Sequence, residues 1–450
     1  MEYFSCFIVF LYCQKNLFMD NLLAARYQMA FTLIFHIVFA CIGMVMPFLL
    51  MTSHYKWLKT RQEKYLKLTK AWQKGVAIFF VTGAVSGTAL SFEMGLLWPE
   101  FMKHAGPIIG MPFSLEGAAF FVEAIAIGFY LYGWGKINEK FHWFTSVIVG
   151  ISGVASGILV VAANGWMNSP SGFDFVNGEF TNIDPVKAML NKAWFTQALH
   201  MTLAAFSATG FAVAGLHAFQ IIRNKQKEVH MAAFKIAITF GAIAALLQPL
   251  SGDLSAKDIA VRQPVKLAAM EAHYHTEKGV PLYIGGIVDH EKQEVKYKIE
   301  IPKALSFLAF GDFDAEVKGL NDFPEDEQPN VPIVHYAFQI MVSIGGAMAM
   351  AGLLFFIALF FKPKWLTQKL FLYAFFALTP LGYIALEAGW IVTEVGRQPW
   401  IIHGIMKTKD AVTPVPGIEI SFYMYIVLYT ILTIAVAWLL NRQIKAFNLK

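Results

Sequence analysis

The chain has 450 residues, of which 57% are hydrophobic and only 15% are charged, and its mean hydropathy is +0.52. Soluble domains are typically ~45–50% apolar and ~25% charged, so this composition argues against ordinary soluble domains, a disordered chain and a basic nucleic-acid-binding domain. The formal net charge of +5 is too small to indicate an anionic partner. The composition therefore predicts a polytopic membrane protein.

The cysteines are few and scattered. Cys6, Cys13 and Cys41 are odd in number and lie in apolar surroundings. They form neither a disulfide framework nor zinc-type spacing, and an iron–sulfur cluster requires about four thiolates. We therefore expect no structural disulfide and no cluster held by this chain.

Nine stretches are long and apolar enough to cross a bilayer, which takes ~20 mostly apolar residues. They predict an all-α integral membrane fold, a bundle of nine transmembrane helices, with eight or ten spans as the alternative count. We read residues 1–18 as an uncertain N-terminal extension, 19–250 as spans one to six, 251–331 as a long outer-side loop, and 332–450 as spans seven to nine with a tail. The predicted spans are 24–50, 72–98, 112–134, 143–166, 189–222, 231–250, 332–361, 370–392 and 418–440.

Lysine and arginine predict the orientation of the bundle. Every second connection is rich in these residues, which favours the cytoplasmic side of a membrane. The pattern predicts an N-terminus outside and a C-terminus in the cytoplasm. The basic segments are 54–70, 136–140, 223–227, 362–369 and 442–450.

The connection between spans six and seven differs from the rest. Residues 251–331 are polar and hold most of the acidic residues, and a loop of this length is usually functional or disordered. Within it Val295, Tyr297, Ile299 and Ile301 alternate with charged residues, which predicts one short strand.

Ionisable side chains inside predicted spans are functional candidates because burying them in hydrocarbon is costly. His200 lies about ten residues below the outer end of span five and Met341 about nine below that of span seven, which predicts a common depth of roughly 13–15 Å. An imidazole and a thioether at one depth could clamp a haem iron; the alternative is a packed methionine and a histidine bonded to a backbone carbonyl. We read Glu93, near the interface, and His217, near the inner end of span five, as structural.

The buried carboxyl groups point to a positive partner. Glu116 and Glu123 are seven residues apart and share one face of span three, while Glu387 and His36 lie in the outer parts of spans eight and one. A carboxylic acid in hydrocarbon is neutral unless a nearby cation stabilises its anion. Haem iron and the coupling ion of a secondary transporter both supply such a cation, and spacing alone does not separate them.

Several motifs together make the chain resemble the large, haem-bearing subunit I of cytochrome bd-type quinol oxidases. The resemblance covers nearly the whole chain from Arg26 onward. The outer loop 251–331 is short for this family. This loop and the string FEMGLLWPEFM at 92–102 resemble the cyanide-insensitive branch of the family. The matching strings are ARYQMAFTLIFH (25–36), LEGAAFFVEA (115–124), VAANGWMNSP (161–170), KLAAMEA (266–272), FQIMV (338–342), and LEAGW (386–390) through GRQPW (396–400).

The resemblance implies a terminal respiratory oxidase that oxidises membrane quinol at the outer side and reduces dioxygen to water at a di-haem site, taking protons from the cytoplasm. It implies a low-spin haem b with His200 and Met341 as axial ligands, a high-spin haem b, and either haem d or a third haem b. His36, Glu116 and Glu387 match the di-haem site; which residue ligates which iron stays open.

Other matched positions carry implied roles. Glu123 matches a carboxylate on the proton route; the alternative is a neutral acid bonded to a helix carbonyl. Arg397 matches the haem-adjacent arginine. In the quinol-binding loop, Glu271 matches a residue that could accept a quinol proton while Lys266 holds the developing anion; the alternative is a solvated ion pair.

Two further positions shape the site and one departs from the family pattern. Asn164 and Trp166 fall in a motif that we read as shaping the site. Many family members carry arginine two residues before the axial methionine, where this chain has Gln339. Losing a cation beside the low-spin haem would lower its potential.

The resemblance also implies the setting. We expect a multi-pass protein of a bacterial or archaeal cytoplasmic membrane, with a second integral-membrane subunit and small single-span subunits as partners and no nucleic acid. Two rivals are an ion-coupled transporter and the cytochrome b of a quinol–cytochrome c complex. The latter uses histidine pairs ~13–14 apart, whereas His200 and His217 are seventeen apart.

Overall fold

A computed structural model of the chain describes residues 19–448, so the predicted extension 1–18, with Cys6 and Cys13, lies outside the described residues. Within the described part, nine helical segments of 27 to 40 residues are long and apolar enough to span a membrane, as predicted. The helices are α1 (Asn21–Thr60), α2 (Glu63–Leu97), α3 (Pro99–Tyr132), α4 (Glu139–Asn168), α5 (Pro185–Met189), α6 (Trp194–Ile222), α7 (Lys227–Arg262), α8 (Pro264–Glu271), α9 (Ala304–Phe310), α10 (Val331–Phe360), α11 (Lys369–Ala377), α12 (Leu381–Val395), α13 (Thr408–Ala411) and α14 (Ile418–Asn448).

Successive spans run in opposite directions, so the bundle has two distinct ends. We call the end that carries residues 263–330 the loop end, and the end that carries the basic connections 61–62, 133–138, 223–226 and 361–368 the lysine end. The eighth span is a pair of helices, α11 and α12, because the chain leaves the helix at residues 378–380, immediately before and at Pro380.

Polar caps determine where several spans begin. Asp20 accepts hydrogen bonds from the backbone of Leu22 and Leu23 and so starts α1. Asn138 and Asn330 cap α4 and α10 in the same way. Such caps satisfy the free N–H groups of a first helical turn, and hydropathy does not detect them.

The fifth and sixth spans, α6 and α7, approach each other through glycine. A Cβ added at Gly210 would lie 2.5 Å from the Cα of Gly241. No side chain fits at that separation, so two glycines are required where the backbones of α6 and α7 meet.

The sixth span is longer than its apolar stretch predicts. It continues from 250 to Arg262, and the connection occupies residues 263–330 rather than 251–331. Polar residues extend the helix because Asp253 pairs with Lys257 and Asp258 with Arg262 across one turn.

The single strand predicted over Val295–Ile301 is wrong. The chain forms two strands there, because Tyr297 has a positive φ of 56° and turns the backbone between them. The two strands belong to different hairpin-like pairs, β6 with β5 and β7 with β4. The strands are β1 (Asp174–Val176), β2 (Glu179–Thr181), β3 (Glu277–Lys278), β4 (Leu282–Ile284), β5 (Ile287–Asp289), β6 (Glu294–Lys296), β7 (Ile299–Ile301), β8 (Glu316–Val317), β9 (Trp400–Ile402) and β10 (Met406–Lys407), all paired antiparallel.

Candidate functional site

His36, on α1, is held in one orientation by a serine of the neighbouring helix. Its Nδ1 is 2.9 Å from the hydroxyl oxygen of Ser86 on α2. That hydroxyl donates its own proton to the backbone carbonyl of Thr82, 2.9 Å away, so its oxygen accepts from Nδ1–H. The opposite ring nitrogen, Nε2, therefore carries the lone pair, as a metal-binding imidazole requires.

His200, on α6, repeats this arrangement with α7. Its Nδ1 is 2.9 Å from the hydroxyl oxygen of Ser251, and this hydroxyl donates to the carbonyl of Gln248 at 3.0 Å. The Nε2 atom of His200 again carries the lone pair and lies 3.1 Å from the side-chain nitrogen of Gln248. The predicted alternative, a histidine bonded to a backbone carbonyl, is wrong, because both ring nitrogens face side chains.

Met341 lies on α10, opposite a glycine of α12. A Cβ at Gly389 would be 3.0 Å from its sulfur atom. Because α6 begins at Trp194 and not at 189, His200 is six residues from its helix start and Met341 ten from Val331, which correspond to about 9 Å and 15 Å. The two helix starts therefore do not lie at equal distances from these residues, and the common depth of His200 and Met341 in the membrane stays a prediction. Helices α7 and α12 each pack against both α6 and α10 and join these positions.

Glycines leave room beside each of these side chains. A Cβ at Gly87 would be 3.1 Å from Cε1 of His36, and one at Gly252 would be 3.7 Å from Cε1 of His200. Gly389 leaves similar room beside the thioether. Two imidazoles with a lone pair at Nε2 and space beside their rings fit a flat macrocycle that carries a metal ion.

The three carboxyl residues predicted to serve the di-haem site or the proton route lie on two helices. Glu116 and Glu123 share a face of α3, where the hydroxyl of Ser156 donates to Glu116 at 3.1 Å and Glu123 is 8% exposed. Glu387 lies on α12, and its Oε1 atom is buried with no hydrogen-bond partner in the described part of the chain. An unpartnered buried oxygen of this kind fits a cation or metal.

Arg397 anchors the loop end of α12 in a buried network. Its side chain is 2% exposed, and its Nη2 donates to Glu394 at 2.5 Å. The second oxygen of Glu394 accepts from the amide of Asn164 at 2.6 Å. Two other guanidinium nitrogens, Nε and Nη1, are buried without an acceptor among the described residues. Because a buried donor normally has a partner, this site fits an acidic group such as a haem propionate.

Lys266 belongs to the same cationic network. Its ammonium group donates to the side-chain oxygen of Asn168 at 2.8 Å and to the carbonyl of Thr393 at 3.3 Å. Burial, and then the nearby positive charge of Arg397, lower the pKa of Lys266 to about 7. A further anionic group at this place would favour the charged lysine.

Glu271 ends α8 and is not paired with Lys266. Five helical residues correspond to a rotation of about 500°, so the two side chains leave α8 on different faces. Glu271 is 3% exposed, its Oε2 atom has no partner among the described residues, and burial raises its pKa to about 8. The alternative of a solvated Lys266–Glu271 ion pair is therefore wrong.

Gln339 and Trp166 position segments around the site. The Gln339 amide donates to the carbonyl of Tyr283 at 3.0 Å and accepts from the N–H of Gly285 at 3.2 Å. The position where many family members have arginine thus fastens the loop to α10. Trp166 is 1% exposed and donates to the carbonyl of Ser171 at 3.0 Å.

The two groups read as structural are both inside the bundle. Glu93 is 1% exposed, not interfacial, and accepts from Gln28 at 3.0 Å and Thr32 at 2.8 Å. His217 accepts from Trp72 at 3.2 Å and its other ring nitrogen is 2.8 Å from that of His230.

Known proteins resemble this chain over nearly its whole length. Residues 24–447 match the family described as cytochrome bd terminal oxidase subunit I. The chain belongs to this family. It is therefore a multi-pass membrane subunit of a bacterial-type respiratory oxidase, and the predicted enzyme class, a quinol oxidase, is confirmed.

Individual cytochrome bd relatives agree in sequence and shape. A Bacillus subtilis protein provisionally named cytochrome bd menaquinol oxidase subunit I is 35% identical over 94% of this chain and 96% of its own. The cytochrome bd ubiquinol oxidase subunit 1 of the same organism is 30% identical over 95% and 94%. The solved bd oxidase from Geobacillus thermodenitrificans is 37% identical, with a TM-score of 0.90 over 95% of this chain and 99% of that one.

Membership of the cytochrome bd family has three consequences. It removes the transporter and the cytochrome b of a quinol–cytochrome c complex as rivals. It also makes this a haem-bearing subunit, and its name, subunit I, implies a second subunit.

Sequence reasoning missed the residues that orient the site. These residues are Ser86, Ser251 and Glu394. The two serines carry no sequence signal, since serine is common in membrane helices. One signal was available for Glu394, which follows Glu387 by seven residues and so shares its face of α12.

Proposed function

We propose that the chain binds three haems, oxidises quinol at the loop end and supports reduction of dioxygen to water within the bundle. The observation that carries the proposal is the pair of imidazoles, His36 and His200. A serine on the adjacent helix faces Nδ1 of each ring, so that Nε2 carries the lone pair. Two separate helix pairs present the same metal-binding tautomer. An ion-coupled transporter has no need of this arrangement.

The proposed cofactors follow from these residues and the family. His200 and Met341 would hold a low-spin haem b. His36, Glu116 and Glu387 would serve a high-spin haem b and either haem d or a third haem b, with the individual pairings open. The haems supply the one-electron and oxygen chemistry, while the protein supplies ligands, polarity and access.

The polar network at the loop end would bind the acidic side chains of a haem. Arg397 offers two unpartnered N–H-bearing nitrogens, and Lys266 lies beside it. A hydrogen bond from a guanidinium to a carboxylate is charge-assisted and roughly twice as strong as a neutral one. Lys266 would therefore act through haem binding and local charge rather than as a partner of Glu271.

Glu271 would act as the base for quinol oxidation. It is buried in the longest connection between two spans in the described part of the chain, and one carboxyl oxygen has no partner among the described residues. A positioned carboxylate typically contributes ~10²–10⁴-fold as a general base.

The charge pattern supports a vectorial reaction. Basic connections favour the cytoplasmic side, which would place the lysine end inside, the loop end outside, the N-terminus outside and the C-terminus inside. Quinol protons would be released outside, while protons for water would reach the site from the cytoplasm past Glu123. Each charge moved against 100 mV stores about 2.3 kcal/mol.

The substrate is a membrane quinol, and the two Bacillus relatives are named for menaquinol and ubiquinol respectively. The complete enzyme would contain subunit II and small single-span subunits in the cytoplasmic membrane. The decisive test uses the purified complex. We expect haem bands in its reduced-minus-oxidised spectrum and quinol-dependent oxygen uptake; a colourless, correctly assembled complex would overturn the proposal.

A further inference from the structure

A buried histidine near Glu271 in the fold has a ring nitrogen that accepts no hydrogen bond from the described residues. His335, on α10, is 0% exposed, and its Nδ1 is 2.8 Å from the backbone carbonyl oxygen of Met270. A carbonyl only accepts, so Nδ1 carries the proton and Nε2 carries the lone pair. Nε2 is buried and has no partner among residues 19–448.

This histidine and Glu271 lie where α8 packs against α10. Met270, whose carbonyl oxygen faces His335, is the residue before Glu271, and Oε2 of Glu271 is also buried without a partner among the described residues. Met270 and Met341 belong to one apolar cluster between α8, α10 and α12. The predicted haem ligand Met341 is six residues from His335 on the same helix, about 9 Å along its axis.

The chemistry of a quinol explains why two acceptors are needed. A quinol has two hydroxyl groups and loses two protons with its two electrons, whereas the proposed function assigns only one base. A buried acceptor without a donor is unfavourable, and a hydroxyl group is the donor that both atoms lack. The helices that carry the two acceptors, α8 and α10, pack against each other.

We infer that His335 is a further catalytic residue of the quinol site: its Nε2 accepts a hydrogen bond and then the proton from one quinol hydroxyl, and Glu271 accepts the other. Both O–H bonds of the quinol break, and their protons go to these two groups. The two electrons leave through the oxidase, so the product is the quinone. This inference rests on the proposed function.

Two substitutions separate the functions of the two ring nitrogens. His335→Asn places an amide N–H near the position of Nδ1, so it keeps the bond to Met270 and removes the acceptor at Nε2. His335→Gln places an amide oxygen near Nε2, which accepts a hydrogen bond but takes no proton at neutral pH. His273 provides the matched control, because it is a buried loop histidine whose Nε2 is 3.3 Å from the carbonyl of Val317.

The experiment measures kcat and KM for a short-chain quinol in the complete enzyme, together with haem spectra. We expect ~10²-fold lower kcat for both His335 variants, the loss typical of a missing general base. KM should rise in His335→Asn and stay near the native value in His335→Gln. His273→Gln should leave kcat, KM and the spectra unchanged.

Oxygen uptake with a second electron donor distinguishes failure of this inference from failure of the proposed function. Tetramethyl-p-phenylenediamine has no hydroxyl proton to give, so oxygen uptake with it should be native in every variant. Native quinol kinetics in His335→Asn would overturn the inference and indicate a buried water at Nε2. An altered low-spin haem spectrum would also overturn it and indicate a haem contact. Failure of the native enzyme to oxidise any quinol would instead refute the proposed function.

Discussion

The amide nitrogen of Asn164 lies 2.6 Å from a carboxylate oxygen of Glu394, although 230 residues separate them in the chain. The other oxygen of Glu394 accepts from the buried Arg397. One carboxylate therefore joins α4 to the loop end of α12 and neutralises a guanidinium.

Removing the charge of Glu394 should destabilise the protein. In the Glu394→Gln variant the buried Arg397 loses its counter-charge, and breaking a buried pair by removing one partner costs about 3–5 kcal/mol. We expect a lower free energy of unfolding and reduced haem content, measured by denaturation and haem extraction. Glu100→Gln, which removes an exposed pair with Lys103, should change stability by no more than ~1 kcal/mol. Equal effects of the two substitutions would contradict this prediction.

The serines that orient the imidazoles should control haem retention. In Ser86→Ala and Ser251→Ala, His36 and His200 lose the acceptor for Nδ1–H, and loss of such a support typically lowers metal affinity ~10–100-fold. Haem titration of each variant should show weaker binding at one site only. Ser91 and Ser255 lie on the same two helices and bond only helix carbonyls, so Ser91→Ala and Ser255→Ala should bind haem normally.

Space beside Met341, the proposed axial ligand, should be required for the low-spin haem. In Gly389→Ala the new Cβ would stand 3.0 Å from the sulfur of Met341 and push it aside. We expect a shifted or diminished low-spin haem band. Gly95 has no atom within 4 Å of an added Cβ, so Gly95→Ala is the matched control. A native spectrum in Gly389→Ala would place Met341 outside the ligand set.

The carboxyl group of Glu123 should serve proton delivery and not haem binding. Glu123→Gln is nearly isosteric and cannot exchange a proton. We expect slower oxygen reduction in rapid-mixing measurements with an intact low-spin haem spectrum. Loss of that haem in the variant would refute the assignment.

Quinol oxidation should depend on pH through Glu271. Burial raises the pKa of this carboxyl from 4.5 to about 8, so the carboxylate that accepts a proton becomes available as pH rises towards and through 8. We expect kcat/KM for quinol to increase over that interval in the native enzyme and to be low and flat in Glu271→Gln.

The raised pKa of Glu271 also determines how the stability of the fold changes with pH. The contribution of this carboxyl to the free energy of unfolding is fully present below its ordinary pKa of 4.5 and is lost as pH rises through about 8. Glu271→Gln should therefore be more stable relative to the native protein at pH 9 than at pH 5. Thermal unfolding at the two pH values measures this, and the opposite order would contradict the assigned burial.

Hydropathy predicted the nine spans because each must bury its backbone in an apolar medium. It did not predict helix ends, since these depend on caps such as Asp20 and on turn-spaced ion pairs such as Asp258–Arg262. The predicted start of the fifth span at 189, rather than at Trp194, differs for this reason. In the loop, alternation at 295–301 indicated extended chain but not the left-handed Tyr297 that divides it.

The proposed haem ligands were predictable and their supports were not. His36 and His200 were identifiable because imidazole is unusual inside spans, and these two residues and Met341 lie in strings that resemble the family. Their supporting serines resemble every other serine in a membrane helix. Only the three-dimensional contact shows that Ser86 and Ser251 face an imidazole.

The paired glycines at 210 and 241 affect chemistry at a distance. His200 is ten residues from Gly210 on one helix, and Ser251 is ten residues from Gly241 on the other, about 15 Å from the crossing in each case. The two helices pack against each other over much of their length, so a side chain forced in at the glycines would also move His200 and Ser251 relative to each other. Inherited changes at these two positions would thus damage respiration without altering a single reactive group, and a survey restricted to reactive side chains would overlook them.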